Sequence, residues 1–159
     1  MKNISMLTRL VVWVVCSLLL LITACGTDDP LIRELEVAYL SAGKSAEEKD
    51  AHVSSVTRKH FPAGMMVSEA LQRMQAKGFK ISEYRYEGAR LWPSGELRLY
   101  TDESVRRNIQ ARFRKNQVEY MAEKEYEWKV IVAKRVVIVI DSDGDKILSS
   151  RGFIYLDGI

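Results

Sequence analysis

The sequence predicts an α+β domain in which two or three N-terminal helices pack on one face of an antiparallel sheet of about four strands. Two observations support this prediction. Between residues 30 and 78 apolar residues recur with helical spacing, whereas after residue 79 the chain alternates as strands do and becomes rich in β-branched residues. Helices followed by strands are typical of α+β domains, in which the helices cover one face of the sheet.

The first 24 residues are predicted to be a signal peptide that is removed. Lys2 and Arg9 precede an uncharged apolar run of 13 residues, Leu10 to Ile22. A membrane-spanning helix needs about 20 apolar residues, so this run is short for a span and suits the core of a secretory signal. The alternative interpretation is an uncleaved membrane anchor.

The apolar run ends in the sequence Leu21-Ile22-Thr23-Ala24-Cys25. It resembles the lipobox of bacterial lipoproteins, in which a branched apolar residue and two small residues precede a cysteine. The resemblance implies that diacylglycerol is attached to the thiol of Cys25, that the chain is cleaved before this residue, and that the new amino terminus is acylated, for example with palmitate. The protein would then be held on a membrane of the cell envelope by the lipid on Cys25.

The residue after the cysteine bears on which membrane is involved. In lipoproteins of enteric bacteria, Asp at this place retains the protein in the inner membrane, whereas the residue here is Gly26. The resemblance therefore implies an outer-membrane location that faces the periplasm. Asp28 and Asp29 lie close by and leave the inner membrane as the alternative.

Removing 24 of the 159 residues leaves 135, a length that suits a single domain. We expect a lipidated N-terminus and tether over residues 25–45, with either a short helix or a flexible stalk, and one α+β domain over residues 46–159. The signal contains two of the 24 basic residues and none of the 21 acids, so the mature net charge is +1. This balance gives no reason to expect a nucleic-acid partner.

Two helices are predicted near the start of the mature chain. Asp29-Pro30 places a capping residue before a proline at the first helical position, and Gly43 would end this short helix. Ser45 and Glu48 have capping-box spacing and begin a second helix that runs to about His60. Because its apolar stripe is thin, we expect this helix to pack at the edge of the core. The stripe comprises Ala51, Val53, Val56 and either His60 or Phe61.

The third helix has the clearest pattern in the chain. Apolar residues fall at four positions of one helical face: Val67, Ala70, Leu71 and Met74. Gly78 follows as the left-handed residue that commonly ends a helix, and Phe79 can fold back on the last turn.

Strand patterns follow, with one helix among them. Phe79 to Tyr86 and Glu96 to Thr101 are predicted strands, separated by a turn at Pro93-Ser94-Gly95. Apolar residues spaced by four then predict a helix over Asp102 to Lys115. The segment Val118 to Met121 is ambiguous.

The last part of the chain is predicted to be a β-hairpin. The segment Tyr126 to Ile140 is rich in β-branched residues, and Lys134-Arg135 marks either a bulge or a bend between two strands. Asp141 to Gly144 is a turn, since Asp and Gly tolerate the backbone angles that a tight turn requires. Lys146 to Leu156 is the return strand.

A second resemblance involves the third helix. The run Phe-Pro-Ala-Gly-Met-Met-Val-Ser-Glu-Ala-Leu-Gln-Arg-Met, residues 61–74, is followed by Gly78-Phe79 and a strand. It resembles the helical entry of small SmpA/BamE-like lipoproteins over about residues 50 to 100. The resemblance implies a helix pair against a short antiparallel sheet and an accessory role, because that family's best-known member is an accessory subunit of outer-membrane barrel assembly. The basic insert Asp102 to Lys115 departs from the family pattern, so no partner or functional residue is carried over.

The insert carries a cluster of basic residues, which are Arg106, Arg107, Arg112, Arg114 and Lys115. On a helix they would spread over the side opposite its apolar residues. This side is either a solvated face or a contact for anionic lipid or an acidic protein partner. A second set of candidate residues is aromatic and comprises Tyr84, Tyr86, Trp92 and Tyr100. These residues either belong to the core or form an exposed patch that binds a partner.

No catalytic residue, metal site or cofactor is predicted. A calcium loop has Gly at its sixth position and Glu at its twelfth, but counted from Asp141 these features are absent, since Gly144 is fourth and Gly152 is twelfth. A plain hairpin turn is the better interpretation. His52 and His60 lie about two helical turns apart without carboxylates at closer spacing, which is too little for a metal site.

These features favour a membrane-anchored envelope lipoprotein with a non-catalytic binding or accessory domain in the periplasm. We expect a protein partner in the envelope, whose identity the sequence does not give. The alternative is an inhibitor or immunity lipoprotein that blocks an enzyme. A hydrolase of the cell envelope is the least favoured, because no set of residues matches a known catalytic arrangement.

Overall fold

The computed structural model describes residues 29–113, 117–128 and 132–157. The predicted α+β class, with three helices before the sheet, is confirmed. No helix in these ranges has both the length and the apolar character needed to cross a membrane. The elements in chain order are α1 (Pro30–Ser41), α2 (Ala46–His60), α3 (Val67–Ala76), β1 (Lys80–Arg85), β2 (Ala89–Leu91), β3 (Leu97–Leu99), α4 (Glu103–Arg112), β4 (Val118–Trp128), β5 (Val132–Ser142) and β6 (Ile147–Asp157).

The strands form one open antiparallel sheet in the order β3-β2-β1-β4-β5-β6. Its six strands correct the expected number of about four. β2 escapes prediction because a strand of three residues is too short to show an alternation. The β-rich segment predicted from Tyr126 covers only the last three residues of β4, because Glu119, Glu123 and Glu125 give the rest of this strand the composition of a solvated segment.

The caps of the first two helices are those predicted. Asp29 caps α1 by accepting a hydrogen bond from the N–H of Leu31, and Pro30 occupies the first helical position. Ser45 and Glu48 form the capping box of α2, each side chain accepting from the backbone N–H of the other residue. These caps satisfy N–H groups that have no partner within a helix.

Helix α1 belongs to the core of the domain. Leu31, Ile32 and Leu35 are at most 1% exposed and join the main apolar cluster. The carboxylate of Asp29 also pairs with Lys77 at the end of α3, at 2.6 Å between Oδ1 and Nζ. Of the two alternatives for this stretch, a short helix or a flexible stalk, the structure shows the helix.

The buried side of α2 differs from the predicted stripe. Val53, Ser54 and Thr57 are buried, whereas Ala51 is exposed and Val56 is half-buried. α2 lies against β6, the last strand in the sheet order, with Val53 and Thr57 fully enclosed. Of the predicted stripe, Val53 and Phe61 are in the core and Val56 packs against it, so the stripe is confirmed in part. The buried polar residues Ser54 and Thr57 have no apolar signal in the sequence.

The contact between α2 and β6 is unusually close at Gly152. The hydroxyl of Ser54 accepts from the N–H of Gly152 at 3.2 Å and lies 3.3 Å from its carbonyl oxygen as a donor. A Cβ atom at position 152 would collide with Oγ1 of Thr57. Only glycine lets the helix backbone approach the strand at this distance.

Helix α3 ends as predicted. Gly78 has a φ of 79°, the N–H of Gly78 bonds to the carbonyl of Gln75, and that of Phe79 bonds to the carbonyl of Met74. This is the Schellman arrangement, which satisfies carbonyls left without partners at a helix end. The buried or half-buried side of the helix comprises Val67, Ala70, Leu71 and Met74.

Two further predictions concern the second half of the chain. Asp102 caps α4, which ends at Arg112, so the predicted helix is present and its last two predicted residues lie outside the described ranges. β5 pairs regularly through Lys134 and Arg135, so the expected bulge or bend is absent there. The irregularity lies instead between Asp141 and Ser142, at the hairpin turn.

We predict that Gly152→Ala lowers the free energy of unfolding by roughly 1–3 kcal/mol, the usual cost of overpacking a core. Thr57→Ala removes the atom that the new Cβ would meet, so the double variant should lose less than the two single variants combined. Urea unfolding followed by circular dichroism measures each value. Ser55→Ala, on the exposed side of α2, serves as the control. If the stability loss of the double variant equals the sum of the two single losses, the close contact is contradicted.

Candidate functional site

The two faces of the sheet differ in character. One face carries Val136, Ile138 and Ile140, which are fully buried in the cluster that includes α1 and α2. We call the other the open face. It bears polar and aromatic side chains and, on β5, the buried Val137 and Val139. Cross-strand neighbours lie side by side, so the strand register defines a row across this face. The row runs from β3 to β6 and comprises Arg98, Arg90, Tyr84, Glu119, Asp141 and Ser149.

Two acids face each other in the middle of this row. Glu119 is 4% exposed and pairs with Arg112 at 2.8 Å and with Arg151 at 3.5 Å. Asp141 pairs with Arg151 at 3.3 Å and accepts a hydrogen bond from Ser149 at 2.6 Å. Burial raises the pKa of Glu119, and Arg112 opposes that rise while Asp141 adds to it. The two arginines therefore compensate two adjacent acids, and one of them ties the end of α4 to the sheet.

The basic cluster predicted on α4 is divided between the sheet and the solvent. Arg112 is held by Glu119, as described above. Arg106 and Arg107 share the carboxylate of Glu103 at 3.5 and 3.4 Å, and Arg107 is the most exposed of the three. Of the predicted contacts for a partner or lipid, Arg107 and Arg112 are exposed and Arg106 is half-buried. The two members of the cluster outside the described residues are Arg114 and Lys115.

An arginine lies between aromatic rings at the β2 end of the open face. The guanidinium carbon of Arg90 is 3.9 Å from the ring centre of Trp92 and 4.9 Å from that of Tyr84. Arg90 also donates from Nη2 to the hydroxyl of Ser82 at 3.2 Å. Burial raises the pKa of Tyr84 to about 12. These contacts form a rigid cationic and aromatic surface.

Sequence reasoning singled out the aromatic residues here but not Arg90. The aromatic set was expected to be either core or an exposed patch, and its members differ in exposure. Trp92 is 38% exposed, whereas Tyr84, Tyr86 and Tyr100 are half-buried. The available signal was the order Arg-Leu-Trp at residues 90–92, which puts the first and third side chains on one face of a strand. It could not be used without knowing that these residues form a strand.

A groove of about 730 Å³ lies between α1 and α2 on the side away from the sheet. Pro30 and Val37 line it from α1, and His52 and Val56 line it from α2. Val37 is 60% exposed, which is high for an apolar residue. The volume is within the range of ligand pockets, so the groove is a second candidate binding surface.

The two histidines have separate surroundings. His52 lines the groove, whereas His60 lies 3.0 Å from the carboxylate of Glu34, which also pairs with Lys59 at 3.3 Å. The hydrogen bond from His60, followed by that from Lys59, lowers the pKa of Glu34. This acid is therefore engaged in bridging α1 to the end of α2.

Among the aspartates near the β5–β6 turn, Asp143 stabilises the turn itself. Oδ1 of Asp143 accepts from the N–H of Lys146 at 2.9 Å and from that of Asp145 at 3.3 Å. These bonds lower the pKa of Asp143, with the bond to Lys146 contributing most. Gly144 has a φ of 109°, which suits a tight turn. The arrangement is a hairpin turn closed by a side chain.

Cys25 lies outside the described residues, so its lipidation stays a prediction. Within residues 29–113, 117–128 and 132–157, no group of three or more His, Cys, Asp or Glu side chains is placed to hold a metal ion. In comparisons with protein-family models, with curated proteins and with solved structures, nothing matches this chain.

We predict that Glu119 makes stability depend on pH. Because its folded-state pKa is raised, its contribution is fully present below the unfolded pKa of about 4.3 and is lost as pH rises through the folded-state value. Glu119→Gln removes this titration, so the variant should gain stability relative to the wild type between about pH 4 and about pH 7. Urea unfolding at both pH values measures the change. The exposed Glu125 on the same strand gives the control, Glu125→Gln, and a pH-independent difference at Glu119 would contradict the prediction.

Proposed function

We propose that this protein is an envelope lipoprotein, anchored through Cys25, whose α+β domain is a non-catalytic module that binds a protein partner in the periplasm. The observation that carries the proposal is the sequence Ile22-Thr23-Ala24-Cys25 at the end of an apolar run of 13 residues. Gly26 favours the outer membrane as the site of anchoring.

The start of the fold supports the anchor. Helix α1 begins at Pro30, five residues after Cys25, and Leu31 already packs in the core. Cleavage before Cys25 would therefore leave every described helix and strand in the mature chain. A lipid at this position gains about 0.8 kcal/mol of membrane affinity per buried methylene, and several acyl chains together give stable anchoring.

The surfaces of the domain support binding more than catalysis. On the open face, Glu119 is held by Arg112 and Arg151, a structural pairing of charges. At the groove, Glu34 is engaged by His60 and Lys59. By contrast, Trp92 and Arg90 present the residue types that dominate binding energy at protein interfaces. The resemblance to SmpA/BamE-like lipoproteins supports an accessory role of the same kind.

We predict that Cys25→Ser abolishes lipidation and processing but leaves the fold intact. The wild type should incorporate radioactive palmitate and run about 24 residues shorter than its precursor, whereas the variant should incorporate none and keep its signal. The matched control is Cys16→Ser, which changes the cysteine within the segment to be removed and should be labelled like the wild type. If wild type and Cys25→Ser are both unlabelled and full length, the apolar run is an ordinary membrane anchor.

We predict that the protein carries a partner when purified from the envelope. The tagged full-length chain, expressed at native level, is cross-linked in cells and purified from detergent-solubilised membranes. A second envelope protein should copurify in a fixed ratio, and its yield should fall in the Cys25→Ser strain because the anchor brings the two together. Recovery of the protein alone, with and without cross-linker, would contradict the binding function.

A further inference from the structure

We propose that the β3 edge of the sheet, together with Arg90, binds an extended acidic segment of a protein partner. This inference specifies the chemistry of the partner and so rests on the proposed binding function. It follows from three features of the β2–β3 hairpin, which are an arginine without an acidic partner, a surplus of positive charge and a sheet edge that no described strand covers.

The first feature is the set of unused donors on Arg90. Its hydrogen bond to Ser82 engages a neutral hydroxyl, and its Nε is buried without an acceptor. Within the described parts of the chain, no carboxylate lies at ion-pair distance from it. The rings of Trp92 and Tyr84 hold the guanidinium in place. A planar guanidinium that is already oriented suits a carboxylate, which it can bind through two donors.

The second feature is the local charge. Arg98 on β3 lies directly opposite Arg90 on β2, and like charges that face each other across strands repel. Glu96 binds Arg98 through both carboxylate oxygens at 2.9 Å, so the acid of this hairpin is engaged by Arg98 and leaves Arg90 without a counter-charge. Elsewhere on the sheet, Arg85 has its own acid in Glu83 at 2.6 Å. The hairpin therefore keeps a surplus positive charge that an acidic ligand would neutralise.

The third feature is the backbone of β3. In the sheet order β3 comes first, so one of its sides is an edge. The N–H of Tyr100 bonds to the carbonyl of Gly88 at 3.0 Å, and this bond shows which residues of the hairpin form the hydrogen-bonded pairs. Because antiparallel pairs alternate, the N–H and C=O groups of Leu97 and Leu99 point to the edge. Their side chains are 52% and 62% exposed.

An extended segment added to this edge would satisfy all three features. Its backbone would bond to Leu97 and Leu99, as in other cases of strand addition. Its side chains would alternate between the two faces of the sheet. Acidic residues at every second position would meet Arg98 and Arg90 on the open face, and the apolar residues between them would cover the exposed leucines.

The proposal is tested with a dye-labelled peptide of alternating glutamate and valine, and with the same peptide carrying lysine in place of glutamate. Binding to the full-length protein in detergent micelles is measured by fluorescence anisotropy, up to millimolar protein. The glutamate peptide should bind and the lysine peptide should not. Arg90→Gln should weaken binding roughly tenfold through loss of the charged pair. Leu99→Pro removes an outward N–H without breaking the ladder, and it should weaken binding as well.

Arg58→Gln, an exposed arginine on α2, is the matched control and should leave the affinity unchanged. Circular dichroism shows whether each variant keeps its fold. Equal binding of both peptides, no binding of either, or wild-type affinity in Arg90→Gln would overturn the proposal. So would Arg90-dependent binding to phosphatidylglycerol vesicles without peptide binding, which would assign the site to lipid phosphates. Palmitate labelling of the same variants tests the lipid anchor separately. A variant that is labelled but does not bind the peptide therefore counts against the peptide site and not against the anchor.

Discussion

The close contact between α2 and β6 is the constraint on which the rest of the structure depends. Gly152 lets the helix lie directly on the strand, and Ser54 satisfies the backbone groups that the helix would otherwise cut off from water. α1 then packs beside α2 and encloses Leu35 and Val53 in one cluster. A wider separation would leave a void between helix and sheet, and such voids cost stability in proportion to their volume.

The two edges of the sheet differ in how far the rest of the chain engages their backbone groups. After α2, the hydroxyl of Ser150 donates to the carbonyl of Phe61, and the N–H of Val67 bonds to the carbonyl of Asp145. The chain thus follows the β6 side of the sheet and occupies backbone groups there. Exposed edges invite pairing with other chains, so proteins cover them or keep them short. Here backbone groups of Asp145, Ile147 and Gly152 on the β6 side are engaged, whereas β3 is only three residues long.

The parts of the fold that could be predicted depend on neighbouring residues. The caps at Asp29 and Ser45 and the helix end at Gly78 involve contacts within five positions along the chain, and all three are present as predicted. On α2 the burial of Val53 was predicted but that of Ser54 could not be, because the hydroxyl of Ser54 bonds to a glycine 98 residues away. A pattern based on apolar residues has no means of identifying a buried hydroxyl.

In the candidate sites, too, features set by neighbouring residues could be predicted and features set by strand pairing could not. The aromatic residues of the open face stand out by type, but the position of Arg90 between two of them depends on strand pairing. The neighbours of Glu119 likewise come from four elements. For the basic cluster on α4, the residue types are evident from the sequence, whereas their ion-pair partners are known only from the structure. The assignment of Cys25 depends on a local motif alone, and the described residues do not bear on it.

The position of α1 has a consequence for where the domain can operate. A lipid on Cys25 would leave three residues before Asp29, and a fully extended chain spans at most about 3.6 Å per residue, so Cα of Asp29 would lie within about 14 Å of the anchored residue. A disordered tether to residue 45 would instead have a root-mean-square length of about 25 Å. The domain would therefore stay in a thin layer at the bilayer surface. Confinement of this kind raises the effective concentration of other membrane-bound proteins around it, so that even a weak contact becomes well populated.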